Sequence, residues 1–277
     1  MPATYTLWKL KRWRVAIAAI TGALAFLVAM NLTGSSSAAE PKPTVVLVHG
    51  AFADASGWDR VVQKLQKDGY PVIAAANPLR GVATDAAYLG SLLESIDGPI
   101  ILVGHSYGGF VMTNAATGNA NVKALVYIAA FAPDEGDIVF GLAGMFPGSQ
   151  LPTAIHAVPY ELPNGESGID GYIDVAQFHA VFAGDLPRNT AMAMAASQRP
   201  STLASGEEPS GAPAWESIPS WYMVATDDKV IPPEAQRFMA ERAGATTVEV
   251  KSSHVAMVSK PGKVVELIEA AAKAVKE

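Results

Sequence analysis

Four short segments of this chain hold residue types that together could perform acyl transfer: His49-Gly50-Ala51, Gly104-His105-Ser106-Tyr107-Gly108, Thr226-Asp227-Asp228 and Ser253-His254. A serine hydroxyl is a weak nucleophile until an imidazole accepts its proton. The imidazole in turn needs a carboxylate to hold its tautomer and to stabilise its charged form. Gly104 to Gly108 is a G-x-S-x-G nucleophile elbow, a sharp strand-to-helix turn that lifts the serine hydroxyl clear of a sheet. By itself the pentapeptide also fits an ordinary glycine-bordered turn, so the other three segments decide. They make Ser106 the expected nucleophile and His254 the expected base, and leave the acid open among Asp227, Asp228 and Asp134. The backbone N–H groups of Ala51 and Tyr107 are the expected oxyanion donors; losing one such donor typically costs about 100- to 1000-fold in rate.

Other polar residues have simpler readings. His49 and His105 each immediately precede a motif glycine or the nucleophile, and are expected to be buried, hydrogen-bonded turn residues. His156 and His179 are surface or pocket-wall residues, and Asp54 belongs to a loop or the start of a helix. The five histidines show no His-x-x-x-His pairing and the chain has no cysteine, so neither a metal nor any other cofactor is expected, nor a disulfide or a lipid-anchored cysteine.

These segments must be positioned by strands and helices, and the chain supplies them in alternation. Thr44 to Val48 and Ile100 to Val103 are short, uniformly apolar runs, the mark of parallel strands buried on both faces. Tyr70 to Ala74, Val122 to Ala130, Trp221 to Ala225 and Thr246 to Val250 complete about six strands. Trp58, Val61, Val62 and Leu65 have helical spacing after a capping-box pattern at Ser56-Gly57-Trp58-Asp59, which predicts a helix from near Gly57 to near Gly69. Further helices are expected between Thr84 and Ile96, from Ser106 to about Thr117, from Pro232 to about Arg242, and from Pro261 to about Val275. Strand–helix alternation in units of this length predicts a mostly parallel sheet flanked by helices. In open α/β sheets the site lies beyond the carboxyl ends of the strands, where all four segments fall. Between about 134 and 219 the alternation fails in a Gly- and Pro-rich stretch. An inserted cap of short helices is expected there, walling a small-molecule pocket.

The first forty residues differ in kind. Lys9, Lys11, Arg12 and Arg14 precede an apolar run from Val15 to Leu32, and Ser37-Ala38-Ala39 offers small residues at a cleavage position. Residues 1–39 are read as a Sec-type signal peptide and 40–277 as the mature domain, secreted or periplasmic. An uncleaved N-terminal membrane anchor is the alternative. The whole chain carries a net charge of −6, and the leader holds four of its 20 basic residues and none of its acidic ones. So acidic a body argues against nucleic acid or an anionic membrane as partner, and leaves a small-molecule ester as the expected one.

From Thr44 onward the sequence resembles the α/β-hydrolase superfamily, more narrowly the group of plant methyl-salicylate and methyl-jasmonate esterases and hydroxynitrile lyases. The resembling segments are Val-Leu-Val-His-Gly-Ala at 46–51, Gly-His-Ser-Tyr-Gly-Gly at 104–109, Thr-Asp-Asp-Lys-Val-Ile-Pro at 226–232 and Ser-His-Val-Ala-Met at 253–257. The resemblance implies the α/β-hydrolase fold and selects Asp228 over Asp227 as the acid. It also implies esterase rather than lyase chemistry, because the lyases carry a threonine where Gly50 stands and a lysine where Val255 stands. The expected activity is hydrolysis of small or medium carboxylic esters through an acyl-enzyme. Amidase, lactonase or perhydrolase chemistry on the same residues, and a non-catalytic ligand-binding homologue, are the alternatives.

Overall fold

The computed structural model describes residues 41–275. The expected signal peptide and its cleavage site after Ala39 lie outside the described residues. In chain order the first half holds β1 (Thr44–Val48), α1 (Asp59–Lys67), β2 (Val72–Ala75), α2 (Val82–Glu94), β3 (Ile100–His105), α3 (Tyr107–Ala115) and β4 (Val122–Ile128). The inserted region holds α4 (Val139–Gly144), α5 (Leu151–Ala154), β5 (Ile155–Glu161), β6 (Ser167–Ile173), α6 (Val175–Val181), α7 (Arg188–Ser197) and β7 (Ser201–Thr202). The chain ends with β8 (Ser220–Ala225), α8 (Pro233–Arg242), β9 (Thr246–Val250), α9 (Ala256–Ser259) and α10 (Pro261–Ala274).

Six strands form one all-parallel sheet in the order β2-β1-β3-β4-β8-β9. The burial of each strand follows its place. β3 and β8 are buried at every residue, whereas β9 at the sheet edge is exposed over most of its length. That is why the inner strands read as unbroken Val, Ile and Leu runs: helices cover both faces. Four strand ends, those of β1, β3, β8 and β9, lead directly into the four chemistry-bearing segments.

Two expectations need correction. The cap is not purely helical, because β5, β6 and β7 form an antiparallel three-stranded sheet within it. Its hairpin turns at Leu162-Pro163-Asn164-Gly165-Glu166, where the Gly165 N–H donates to Leu162 O at 2.9 Å and the Leu162 N–H to Glu166 O at 2.7 Å. Asn-Gly between two short runs is a hairpin signal, and Pro159 is tolerated because β5 is an edge strand. Secondly, Ser56 does not cap the first helix. Asp54 caps the 3-10 turn over Ala55–Trp58 that leads into α1: its Oδ1 accepts from the Ser56 N–H at 2.8 Å and from the Ser56 hydroxyl at 2.5 Å, while α1 itself has no side-chain cap. An aspartate two residues upstream reaches the orphan N–H better than the serine can.

The elbow depends on absent side chains. A Cβ on Gly108 would lie 2.5 Å from Val48 O and 2.8 Å from His49 O, so α3 and the end of β1 touch through backbone alone. Gly108→Ala is therefore expected to cost about 1–3 kcal/mol, because backbone cannot rotate away as a side chain does. Urea unfolding at unchanged m-value would register this as a lower midpoint; an unchanged midpoint would refute the contact.

Candidate active site

Ser106 sits between β3 and α3 at φ 52°, ψ −126°, a conformation that L residues rarely adopt. Its carbonyl accepts two N–H groups, from Gly109 at 3.0 Å and Phe131 at 3.1 Å, which tie the turn to its own helix and to the segment after β4. Gly50 comes equally close from the other side, since a Cβ there would lie 2.6 Å from Ser106 Cβ and 2.8 Å from His105 O. The elbow is thus held by α3, the β1 loop and the β4 loop together, which is what keeps a strained residue in place. Tyr107 is the first residue of α3, where N–H groups lack an intrahelical acceptor, and Ala51 stands beside it in the same cavity.

His254 and Asp228 are buried together, with His254 Nδ1 2.7 Å from Asp228 Oδ2 and both side chains fully shielded. The carboxylate is saturated with donors. Oδ1 accepts the N–H groups of Val230 at 2.7 Å and Ile231 at 3.1 Å, and Oδ2 also accepts Gln236 Nε2 at 2.8 Å. These donors replace the water that burial removes from the carboxylate, and the carboxylate facing Nδ1 fixes the orientation of the ring. The other expected acids do not reach this histidine. Asp134 is folded into its own turn, accepting the Glu135 N–H at 2.8 Å, and Asp227 stands exposed with its N–H donated to Ser252 O. The His254 ring packs between Phe182 of the cap, at 5.0 Å between centroids, and His105, at 4.6 Å. Its Nε2 is buried without a hydrogen-bond partner, so Ser106 and His254 are not hydrogen-bonded here.

His49 and His105 are the buried turn residues that their positions suggest. The Asn77 N–H donates to His49 Nε2 at 3.0 Å, which places the ring proton on Nδ1 against Gly50 O. His105 Nε2 faces His254 O at 2.9 Å and must therefore be the protonated nitrogen, holding the backbone of the second histidine. Burial lowers the pKa of both, that of His105 well below the ordinary 6.5, and the nearby His254 lowers His105 further. His179 bonds Leu186 O within the cap, and His156 is exposed on β5.

Several contributors are not evident from motifs. Gln236 bridges Asp228, Ile231 O and the Ala225 N–H while fully buried. Its signal is positional, a polar residue on the apolar face of α8 beside Ala235, Met239 and Ala240, where it must find partners. Asp85 accepts the Tyr107 hydroxyl at 3.0 Å and the Arg80 N–H on both oxygens, and burial raises the pKa of both Asp85 and Tyr107. Ser253, next to His254, donates to Asp185 of the cap.

A cavity of about 70 Å³ lies over Ser106. Ala51, Phe52, Tyr107 and Phe131 line it from the sheet side, and Phe140, Leu151 and Leu203 from the cap. Among the described residues no cluster of His, Cys, Asp and Glu is suited to a metal ion.

A nucleophile elbow over the end of a parallel sheet, a buried Asp–His pair and a cap above them define an α/β hydrolase. The sequence profile of the alpha/beta hydrolase family matches residues 45–267, and the chain belongs to that family. Salicylic acid-binding protein 2 of Nicotiana tabacum is 30% identical over 244 residues, covering 79% of this chain and 92% of that protein. Norfluorocurarine synthase 2 of a Strychnos species is 29% identical over 257 residues, covering 78% and 90%. Among solved structures, polyneuridine aldehyde esterase superimposes with a TM-score of 0.72 at 21% identity, over 83% of this chain and 98% of its own. The resemblance to the plant esterase group and the α/β-hydrolase fold are thus both borne out.

The buried histidines have a measurable consequence. Near pH 6.5 the unfolded chain takes up protons on His49 and His105 that the folded chain refuses, so stability rises with pH there and falls on acidification. From pH 7 to 5.5 the urea midpoint is expected to drop, as stability falls by up to about 1.4 kcal/mol per pH unit for each histidine that stays neutral. His105→Gln should make the slope shallower. A midpoint that stays flat over this range would contradict neutral burial.

Proposed function

We propose that this protein is a serine carboxylesterase that cleaves small or medium esters through an acyl-enzyme. The observation that carries the reading is the saturated, buried Asp228–His254 pair, with His254 Nε2 left unpartnered and Ser106 exposed to an apolar cavity. In this reading Ser106 Oγ attacks the ester carbonyl as His254 Nε2 takes its proton. Asp228 holds the ring and stabilises the imidazolium, and the Ala51 and Tyr107 N–H groups receive the negative charge that develops on the carbonyl oxygen. His254 then passes the proton to the leaving alcohol. Water, activated by the same imidazole, hydrolyses the acyl-Ser106 ester and returns the enzyme to its starting state. The esterase name of a structural relative is consistent with this chemistry. Val255, fully buried beside His254, puts an apolar group where lyase chemistry would use a lysine.

Wild type is expected to hydrolyse p-nitrophenyl acetate and butyrate and to be labelled by a fluorophosphonate at Ser106 alone. Ser106→Ala should abolish both, and Asp228→Asn should lower kcat by about 1,000- to 10,000-fold. An unlabelled and inactive wild type would remove the reading.

Export through a cleaved signal peptide is part of the same proposal, supported by the basic and apolar leader ending in Ser37-Ala38-Ala39. Intact mass of the protein recovered outside the cytoplasm should correspond to a chain beginning at Glu40. A mass that includes residues 1–39 would favour the anchored alternative.

A further inference from the structure

The cavity over Ser106 is closed on its cap side where two segments meet. Phe140 projects from the first turn of α4, and Gly206 ends a 3-10 turn over Leu203–Gly206; both line the cavity. A Cβ on Gly206 would lie 2.2–2.5 Å from three ring carbons of Phe140, so the outer edge of the ring rests on bare backbone. Yet Phe140 is 47% exposed. A large aromatic side chain that spans from solvent to the wall of an apolar cavity sits at its mouth.

The space above Ser106 is small for an ester substrate. At about 70 Å³ it is half of the roughly 150 Å³ in which an engineered apolar cavity takes up benzene. Leu151, Leu203 and Val230 continue the apolar lining, and among the described residues no charged side chain lines it. Ser201, Thr202 and Ser205 add hydroxyls to the lining but no opposite charge, so a charged group entering there would lose its hydration without gaining a counter-charge.

We propose that Phe140 sets the size limit of this site and restricts it to esters whose cavity-facing group is an uncharged aliphatic chain of about two to four carbons. The proposal rests on the esterase reading of Ser106. Longer chains and rings meet the Phe140 ring, which must leave Gly206 to admit them.

Two substrate series test this: p-nitrophenyl acetate, butyrate and octanoate, and methyl, butyl and octyl acetate. For wild type, kcat/KM is expected to fall at least about tenfold between four and eight carbons in one series, and that series identifies which side of the carbonyl occupies the cavity. Phe140→Ala should raise the eight-to-four-carbon ratio in that series by about tenfold, and Phe140→Trp should lower the four-carbon substrate relative to the shortest one. A ratio within about twofold of wild type for Phe140→Ala in both series, with Ser106 still labelled by fluorophosphonate, overturns the size limit and leaves the esterase reading standing. Wild type that is neither labelled nor active in either series overturns both.

Discussion

A serine held at positive φ persists only where its surroundings leave it no other conformation, and most of this molecule's central packing serves that constraint. Three chain segments converge on Ser106 at distances that exclude side chains. Gly50 arrives from the end of β1, Gly104 and Gly108 close the β3–α3 turn on itself, and Phe131 donates its N–H from beyond β4. The Gly104–Gly108 and Phe131 contacts are backbone to backbone, and Gly50 abuts the Ser106 Cβ and the His105 carbonyl, so none can rotate away and each depends on the register of a buried parallel strand. The uniform burial of β3 and the near-complete burial of β1 and β4 are thus more than a source of stability: they set the position of the Ser106 hydroxyl.

A second constraint is the cost of burying charge. Asp228 is shielded from water yet accepts four hydrogen bonds, two from backbone N–H groups, one from Gln236 and one from His254. That set satisfies the buried carboxyl oxygens and aims one of them at one ring nitrogen. His105 performs a matching task. Kept neutral by burial, it adds no positive charge beside His254 and instead pins the His254 carbonyl. The two histidine rings lie 4.6 Å apart and tilted by 53°, and their hydrogen bonds give them opposite characters: one ring faces a carboxylate, the other a carbonyl.

The cap shares the hydrophobic core of the sheet and is also tied to it by polar contacts. Arg80 pairs with Asp170 of β6 at 2.8 Å, Glu208 caps the N-terminus of α2, and Ser253 bonds Asp185. Between these ties its inner side is apolar, with Phe182 against His254 and Phe140 over Gly206. The sheet domain supplies the groups that could break a bond, and the cap shapes the space a substrate must fit.

How much of this was legible beforehand follows from the range of each interaction. The parallel strands, the helices between them, the elbow and the chain order of Ser106, Asp228 and His254 are properties of short segments, because buried strands must be apolar throughout and a tight turn must use glycine. Choosing Asp228 over Asp227 required a family resemblance, and in space it is the backbone of Val230 and Ile231 that orients that carboxylate. The cap holds the expected short helices, but its antiparallel sheet is hard to read from the sequence, because its strands pair only with one another and carry no long apolar run. The roles of Gln236, Asp85 and Phe140 came only from the tertiary structure. Each acts on a partner far along the chain or in another element, and a side chain's burial and partners are decided by packing that no local pattern encodes. The sequence by itself determined which groups could do chemistry and that a parallel sheet would carry them. Only the folded chain decided how closely they meet and how much room is left above Ser106, because those distances are set by contacts between segments remote in sequence.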